Sequence, residues 1–360
     1  MRRFSMPRLF LVSTGWVMSK GSFSAGMDTA RIGACFMVIV LHVAATQFHV
    51  FDGQWWASNF YDSLTRSCVP IFLMVSGVLL LNKQEGLPAF FTKRFARILP
   101  PLLFWSLFYM MWNTSQGTDY GGWIEWLKTL ASGPVVYHLW YLYAILGIYL
   151  FVPFLRNIWL TSTRSEKRLF LAFWMLVSGL PIVQTVMDID LDLMETYGLG
   201  SFFGLIGYLF LGAYVLEVYQ ERSLKNRYWW GSAGLFIVFS AMTMMATFVY
   251  SRHMEAPDAL FYDYLSPLVM AASVCIFNVL YGLGVKLRPY SGILSRLSAC
   301  TFGVYCIHIF ILDRTTAVVG MPGSSGSAWL SIPAMAAFVF GVSLLLIMLL
   351  RRFRPFLHVT

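Results

Sequence analysis

The sequence predicts an all-α fold, a polytopic transmembrane helical bundle of about ten spans with both termini in the cytoplasm. Of the 360 residues, 58% are hydrophobic and only 12% are charged, whereas a soluble domain carries about a quarter charged residues. The apolar residues fall in runs long enough to cross a hydrocarbon core about 30 Å thick. This composition excludes a soluble enzyme held to the membrane by a single anchor.

Ten apolar segments define the predicted spans, and several of them are short or contain proline and glycine. Polytopic bundles tolerate such interruptions where neighbouring helices satisfy the backbone. An even number of spans places both chain ends on the same side. The segments are 29–50, 67–82, 98–113, 138–155, 169–187, 200–219, 228–250, 265–284, 297–313 and 328–350.

Basic residues decide which side of the membrane is cytoplasmic. With the N-terminus inside, all but four of the 26 lysines and arginines fall in inside segments, the pattern that topology requires. The net charge of +9 therefore reflects topology, and we expect no nucleic-acid partner. We expect a cytoplasmic extension over 1–26, a transmembrane domain over 27–350 and a cytoplasmic basic tail over 351–360, in the inner membrane of a bacterium. The four exceptions are Arg66, Lys128, Arg252 and Arg314.

The predicted outside loops are rich in acidic and aromatic residues. One interpretation is an interfacial aromatic belt with solvated charges. The other is a sugar-binding mouth, in which aromatic faces stack on sugar rings and carboxylates accept hydroxyl hydrogen bonds. These residues are Asp119, Tyr120, Trp123, Glu125, Trp126, Asp188, Asp190, Asp192, Glu195, Glu255, Asp258, Tyr262, Asp263 and Tyr264.

An arginine and a histidine interrupt the first span. Arg31 and His42 are eleven residues apart in an otherwise apolar stretch, which on a helix is about 16 Å along one face. We predict that Arg31 lies near a membrane edge and His42 near the midplane. Ionisable groups at that depth are costly and mark functional sites, and a neutral imidazole can take a proton from a hydroxyl. His42 is the predicted base; a structural hydrogen bond between helices is the alternative.

Three cations precede the third span. Lys93, Arg94 and Arg97 occupy neighbouring positions on one helical turn, just before Pro100 and Pro101. Guanidinium groups match phosphate oxygens, so this turn is a candidate site for a phosphorylated cofactor. The other interpretation is topology charge that contacts anionic lipids.

Two further segments combine histidine with aromatic residues. His138 and Trp140 stand at the predicted outer end of the fourth span, where interfacial anchoring is an equally good account. In the ninth span Thr301, Tyr305 and His308 share one helical face. For His308 a structural hydrogen bond is the alternative to a functional role.

Serine and cysteine carry less information about chemistry. Ser76 and Gly77 lie together inside the second span, a pair that permits close helix approach but lacks the nucleophile-elbow pattern. The five cysteines lie in apolar segments without the spacing of a disulfide framework or a zinc site. We expect no metal.

Together these motifs resemble the integral-membrane acyltransferase-3 family over about residues 27–350. The family has Arg, ten residues and His in its first span, then Pro-x-Phe-x-x-x-Ser-Gly, Arg-x-x-Arg, His-x-Trp and Thr-Phe-Gly-x-Tyr-x-x-His elements. The chain is most similar to the small members that acetylate bacterial surface polysaccharides, such as the O-acetyltransferase of enterobacterial common antigen. The matching residues are Arg31, His42, Pro70, Phe72, Ser76, Gly77, Arg94, Arg97, His138, Trp140, Thr301, Phe302, Gly303, Tyr305 and His308.

One position departs from the family pattern. Many members follow His-x-Trp with a segment that ends in a Glu-Glu-Gln-Phe-Tyr-like string. Here the glutamate places hold Ile145 and Leu146, followed by Gly147, Ile148 and Tyr149. The role of that glutamate does not carry over to this chain.

The resemblance implies acetyl transfer from cytosolic acetyl-CoA to a hydroxyl of a surface polysaccharide or lipid-linked glycan. His42 would be the general base, or would less directly form an acyl-imidazole, and Arg31 would hold the donor or orient the histidine. The remaining implied contacts are of two kinds. Those to the donor phosphates are Lys93, Arg94 and Arg97, and those to the acceptor are His138, Trp140, Tyr305 and His308.

Two other functions stay open from the sequence. A secondary transporter or glycan exporter could use His42 as a proton relay. A structural protein of a polysaccharide-synthesis complex would tolerate loss of His42. The acceptor sugar, the acylated hydroxyl and the oligomeric state are not encoded in any recognisable pattern, and acetyl is the default acyl group.

Overall fold

The structure is a computed structural model that describes residues 20–188, 204–221, 226–324 and 326–360. Every regular element in these residues is a helix, which confirms the predicted all-α bundle. Among them, nine helical segments are long and apolar enough to cross a membrane. The α-helices are α1 Lys20–Ala45, α2 Trp55–Thr65, α3 Cys68–Leu81, α4 Leu87–Ser115, α5 Trp123–Ser132, α6 Trp140–Thr161, α7 Arg164–Met187, α8 Gly207–Glu221, α9 Asn226–His253, α10 Pro267–Lys286, α11 Ser291–Val319 and α12 Ala328–Leu350.

The tenth predicted span, 200–219, corresponds to α8, which has 15 residues. The first four residues of that prediction lie outside the described part of the chain, as do most of the predicted cytoplasmic extension and the acidic residues 190, 192 and 195. The short length of α8 explains why nine segments, and not ten, meet the length of a full span in the described residues.

The second predicted span is longer than expected, because α2 precedes α3 in one apolar segment, Trp55–Leu81. Between the two helices, Arg66 Nε lies 2.7 Å from Asp62 Oδ1, and the guanidinium stacks 4.3 Å from the ring centre of Tyr262. The prediction of Arg66 as an outside-loop cation is therefore wrong in its location. A buried carboxylate partner and an aromatic face allow this arginine to sit inside the bundle.

The central helix is α1, which packs against α2, α3, α10, α11 and α12. It begins at Lys20, nine residues earlier than the predicted span, and ends at Ala45. Arg31 consequently lies near the middle of α1 and His42 lies in its last turn. The depths predicted for these two residues, near a membrane edge for Arg31 and near the midplane for His42, stay predictions.

The closest helix crossing joins α3 to α8. A Cβ atom on Gly77 would lie 2.0 Å from the Leu209 carbonyl oxygen, and one on Gly212 would lie 2.3 Å from the Met74 carbonyl oxygen. The two backbones therefore touch without intervening side chains, as the Ser76-Gly77 pair predicted. This contact holds α3 in place as one wall of the cavity described below.

The third predicted span starts too late. Helix α4 begins at Leu87 and contains Pro100 and Pro101 in its interior. The turn that carries Lys93, Arg94 and Arg97 is thus part of a 29-residue helix. Because each proline removes one helical hydrogen bond, the sequence had suggested a helix start at this point.

Candidate active site

A cavity of about 950 Å³ runs between α1, α3, α4, α6, α8 and α11. Lys83, Lys93, Arg94 and Arg97 line one part of it, and Phe72, Tyr141 and Tyr305 line another. Phe72 and Lys83 are eleven residues apart on and just after α3, which separates the two parts by about 16 Å. The cavity is therefore an elongated channel with a cationic end and an aromatic end.

The cationic end is organised around one carboxylate. Glu85, whose side chain is only 7% exposed, lies 2.5 Å from Arg94, 3.2 Å from Lys93 and 3.5 Å from Lys83. Desolvation opposes ionisation of Glu85, but the hydrogen bond from Lys93 and the charges of Arg94 and Lys83 outweigh it and lower its pKa. The carboxylate is therefore charged and binds the same cations that were predicted to bind phosphate.

Arg97 differs from the other cations at this end. It lines the cavity, it is exposed, and no acidic side chain within the described part of the chain forms an ion pair with it. An arginine that faces a cavity without an internal counterion can bind an entering anion with no ion pair to break first.

Arg31 lies along the cavity wall and not at its rim. Its guanidinium is 3.7 Å from Asp28, and both residues line the cavity. Its separation from His42 is about 16 Å along α1, which is too far for direct contact. Any effect of Arg31 on the orientation of His42 would therefore be indirect, and both predicted roles of Arg31 stay predictions.

The aromatic end of the cavity is formed by Tyr141 and Tyr305, whose ring centres are 5.9 Å apart. The hydroxyl of Tyr305 donates to the backbone carbonyl of His138. The Tyr305 ring also lies 5.8 Å from the His138 ring and 5.9 Å from the His308 ring. Tyr305 therefore belongs both to the cavity and to the group of histidines behind it.

Three histidines from α1, α11 and the start of α6 meet behind Tyr305. The ring centre of His308 lies 5.2 Å from that of His42 and 5.1 Å from that of His138. We call His42, His138 and His308 the histidine cluster. On its other side Tyr137, which is 58% exposed, lies 5.2 Å from His42, so the half-buried His42 is the member nearest the surface.

Backbone carbonyls fix the tautomers of two cluster members. Nδ1 of His308 lies 2.6 Å from the Tyr305 carbonyl oxygen, and Nε2 of His138 lies 3.2 Å from the Cys306 carbonyl oxygen. A carbonyl only accepts, so each of these ring nitrogens must carry the hydrogen. The opposite nitrogens, Nε2 of His308 and Nδ1 of His138, are buried lone pairs without a hydrogen-bond partner.

Tyr109 on α4 holds the α11 segment that supplies these carbonyls. Its hydroxyl donates to the Cys306 carbonyl at 2.9 Å and accepts from the Phe310 amide at 3.2 Å. Cys306 and Phe310 are four residues apart, the pair that a regular helix would join directly. The tyrosine thus braces α11 at the level of His308, so that α4 links the cationic turn to the histidine cluster.

Most of the predicted site residues lie at the cavity or at the histidine cluster, and Trp140 is the exception. Arg31, Lys93, Arg94, Arg97 and Tyr305 line the cavity. His308 lies against His42, and His138 and Tyr305 lie against His308. The exception is Trp140, whose ring stacks at 5.9 Å on Tyr264 and has no ring contact with the cluster.

Sequence reasoning missed several residues of the site. Asp28 stands three residues before Arg31, and that helical spacing could have predicted the ion pair. Tyr137 and Tyr141 flank the His-Leu-Trp element and could have been included with it. Tyr109 and Glu85 carry no local signal, because only the packing of distant helices brings them to the site.

At the two glutamate places of the family pattern α6 carries Ile145 and Leu146, and Ile145 lines the cavity. In the described residues no group of three or more His, Cys, Asp or Glu side chains has the arrangement to hold a metal ion.

A model of the acyltransferase-3 family, described as an acyltransferase domain, matches residues 24–348. The matched residues include the cationic end of the cavity and the three members of the histidine cluster. Comparison with curated proteins and with solved structures finds no match, so the closer likeness to the enterobacterial common antigen O-acetyltransferase gains no support.

Proposed function

The chain belongs to the acyltransferase-3 family and is a multi-pass membrane acyltransferase, and we propose that it is an O-acetyltransferase. It moves an acetyl group from cytoplasmic acetyl-CoA to a hydroxyl of an extracytoplasmic or lipid-linked glycan, in the inner membrane of a bacterium. His42 is the general base. The observation that carries the proposal is one cavity that joins the Arg94–Arg97 turn to Tyr305, which packs against the histidine cluster.

The cationic end fits the phosphates of a CoA donor. Arg97 is available without breaking an ion pair, and Arg94 and Lys93 can exchange the Glu85 carboxylate for phosphate oxygens. Further along the wall, Arg31 provides one more cation beside Asp28. Five cations lie here, against three carboxylates, so this part of the cavity is positively charged overall. The cations are Arg31, Lys83, Lys93, Arg94 and Arg97, and the carboxylates are Asp28, Glu85 and Glu217, the last of which is paired with Lys167.

The shape of the cavity fits an extended arm better than a compact ligand. Its long axis of about 16 Å, half the thickness of a hydrocarbon core, is close to the reach of a pantetheine arm. Apolar and aromatic side chains, including Phe72, Ile145 and Tyr149, line the interior beyond the cations. A thioester delivered to the Tyr141–Tyr305 end would stand beside the histidine cluster.

The acceptor would approach from the opposite side of the cluster. Tyr137 is exposed beside His42, and the positive-inside distribution places this end of α1 outside the cytoplasm. A glycan hydroxyl could therefore reach His42 without passing the cationic cavity. His138, Tyr305 and His308 are buried, so their proposed effect on the acceptor is indirect and acts through the shape of the site around His42. Trp140 would contact the acceptor from its stack on Tyr264.

The transporter alternative uses some of the same residues differently. It needs substrate movement past Tyr305 without consumption of acyl-CoA, and it predicts that a variant lacking both Arg94 and Arg97 keeps its function. The scaffold alternative predicts that His42→Ala is tolerated. The family match and the cationic cavity favour the acyltransferase over both.

The test is release of free CoA from acetyl-CoA by purified protein in nanodiscs. We expect wild type and the exposed-histidine control His49→Ala to release CoA, and His42→Ala to lose about 10²- to 10⁴-fold of the rate with acetyl-CoA binding unchanged. Equal rates in all three proteins would overturn the assignment of His42. If none releases CoA without an acceptor, direct acetyl-CoA binding separates an acyltransferase from a transporter.

Direct transfer and an acyl-histidine route differ in kinetics. Direct transfer requires donor and acceptor together, so no acetylated protein accumulates when acetyl-CoA is supplied alone. Ping-pong kinetics with a trapped acetyl-enzyme would contradict the base role and favour nucleophilic catalysis by His42.

A further inference from the structure

We propose that His308 is a positioning residue that accepts a hydrogen bond from the ring N–H of His42 during the reaction. The inference rests on the proposed function, since it assumes that His42 is the base. It assigns His308 a different role from the acceptor binding expected from the sequence. It follows from the distribution of ring hydrogens and lone pairs in the histidine cluster.

The hydrogens of the cluster leave one donor without a partner. Each neutral imidazole has one N–H group. His308 gives its own to the Tyr305 carbonyl and His138 gives its own to the Cys306 carbonyl. His42 forms no hydrogen bond with any residue that the structure describes, so its N–H is the free donor of the cluster.

One ring nitrogen of the cluster is an unpaired acceptor that matches the free N–H of His42. Nε2 of His308 is buried without a partner in a side chain that is fully buried. An unpaired buried acceptor costs about 1–3 kcal/mol, so a partner is expected in the working state. The His138 ring is equally near at 5.1 Å, but its N–H already donates to the Cys306 carbonyl. His42, at 5.2 Å, is therefore the neighbouring imidazole with a donor to give.

The distance between the rings suits this bond. Centres 5.2 Å apart leave room for one hydrogen bond of about 2.9 Å between facing ring nitrogens. In the structure the two rings are tilted by 30° and are not hydrogen-bonded. Rotation of the half-buried His42 ring, which has the exposed Tyr137 as its ring neighbour 5.2 Å away, would complete the contact.

The bond would orient His42 and stabilise its charged form. With one N–H directed at His308, the other nitrogen of His42 presents its lone pair to the acceptor hydroxyl. That nitrogen takes the hydroxyl proton as the oxygen bonds to the thioester carbonyl carbon. The carbon–sulfur bond then breaks, and the departing sulfur takes the proton back from His42. His308 keeps its own hydrogen on Nδ1 throughout, as a third group orients the base in other acyl-transfer sites.

Substitution of His308 separates this role from a packing role. His308→Phe keeps a ring but removes the acceptor, whereas the side-chain oxygen of His308→Gln can accept the same hydrogen bond. We expect His308→Phe to lower kcat about 10²-fold, less than loss of the base itself, with the KM for acetyl-CoA and thermal stability close to wild type. His308→Gln should recover at least about tenfold of that loss, and His49→Gln is the matched control.

A double-mutant cycle with His42→Ala makes the outcome decisive. If His308 acts through His42, then His308→Phe costs nothing further when His42 is already alanine. A multiplicative loss in the double variant, or a His308→Gln no better than His308→Phe, would overturn the inference. The proposed function fails separately, when His42→Ala alone leaves the rate unchanged. If His308→Phe does not fold, His308→Gln is compared in the wild-type protein and in His42→Ala instead. A loss of rate that is equal in both proteins would overturn the inference.

Discussion

The two ends of the cavity differ in the kind of polar groups that they present. At the cationic end, exposed or partly exposed lysines and arginines surround a single carboxylate, and Arg97 has no acidic partner in the described residues. At the aromatic end, the neighbouring histidine cluster lies among tyrosines, and two of its members, His138 and His308, hydrogen-bond to backbone carbonyls. Charged side chains are the main feature of the cationic end, and side chains held in fixed positions are the main feature of the aromatic end.

The difference indicates that the two ends of the channel would contribute to different steps of the proposed reaction. Exposed cations attract an anion over a distance but place it loosely, because screening and side-chain freedom weaken each pair. Buried imidazoles with fixed tautomers attract little but present a lone pair in one direction. We therefore expect changes at the cationic end to alter donor affinity, and changes at the histidine cluster to alter the chemical step.

The largest expected effect at the cationic end comes from Arg94→Ala combined with Arg97→Ala. Hydrogen bonds to charged groups are worth about 1.5–3 kcal/mol each, so we expect the KM for acetyl-CoA to rise about 10²-fold or more. Exposed Arg168, which does not line the cavity, provides the matched control as Arg168→Ala. A double variant with an unchanged KM would remove the donor from this end of the cavity.

Salt provides a second, smaller way to separate the ends. Raising ionic strength from about 0.05 M to 0.5 M shortens the screening length severalfold. The KM of the wild-type protein for acetyl-CoA should rise about tenfold, while kcat at saturating donor stays within about twofold. Steady-state kinetics across the salt series measures both. A fall in kcat with constant KM would place the charge-dependent step at the chemistry.

Tyr305→Phe tests the residue that the two ends share. The change removes the hydroxyl that donates to the His138 carbonyl and keeps the ring. A typical hydrogen bond contributes about 0.5–1.5 kcal/mol, so we expect kcat to fall about three- to tenfold with little change in KM. A rise in KM without a change in kcat would instead assign the Tyr305 hydroxyl to the donor.

The smallest expected effect is that of Glu85→Gln. Removing this carboxylate frees Arg94 and Lys93 for an entering anion, so the KM for acetyl-CoA should fall about two- to fivefold. Because its neighbouring cations lower the pKa of Glu85, the carboxylate stays charged between about pH 6 and 8, and the effect should be constant over that range. A rise in KM would mean that Glu85 is needed to position Arg94.

The pKa of Glu85 also fixes the sign of its contribution to stability. A carboxyl group with a lowered folded-state pKa stabilises the fold above its unfolded pKa, which is about 4.3 for glutamate. The contribution is lost as the pH falls through the folded-state pKa. Wild type and Glu85→Gln should therefore converge in thermal stability in strong acid, as a melting series in detergent would measure.

Much of the fold could be predicted from the sequence, because hydrophobic length and basic flanks are local properties. The exceptions have physical causes. Arg66 was assigned to a loop because its partners Asp62 and Tyr262 are only brought together by folding. The third span was predicted to begin at residue 98 because prolines are more common near a helix start than in its interior, whereas α4 begins at Leu87 and holds Pro100 and Pro101 inside.

The candidate site was predicted in its residue types but not in its layout. The spacing of Arg31 and His42 along one helical face is a local property and could be read directly. The meeting of His42, His138 and His308 depends on three helices, and the bracing of α11 by Tyr109 depends on a fourth. The stacking of Trp140 on Tyr264 is equally non-local.

The central claim is that donor binding and acyl transfer are carried by different ends of one cavity. The most direct test is the single-turnover rate of acetyl transfer in nanodiscs as acetyl-CoA is raised to saturation, for His42→Ala and for the Arg94→Ala, Arg97→Ala double variant. We predict that the arginine variant approaches the wild-type rate at high donor concentration, whereas His42→Ala remains slow at every concentration. If saturating donor rescues both variants, or neither, the division between the two ends is contradicted.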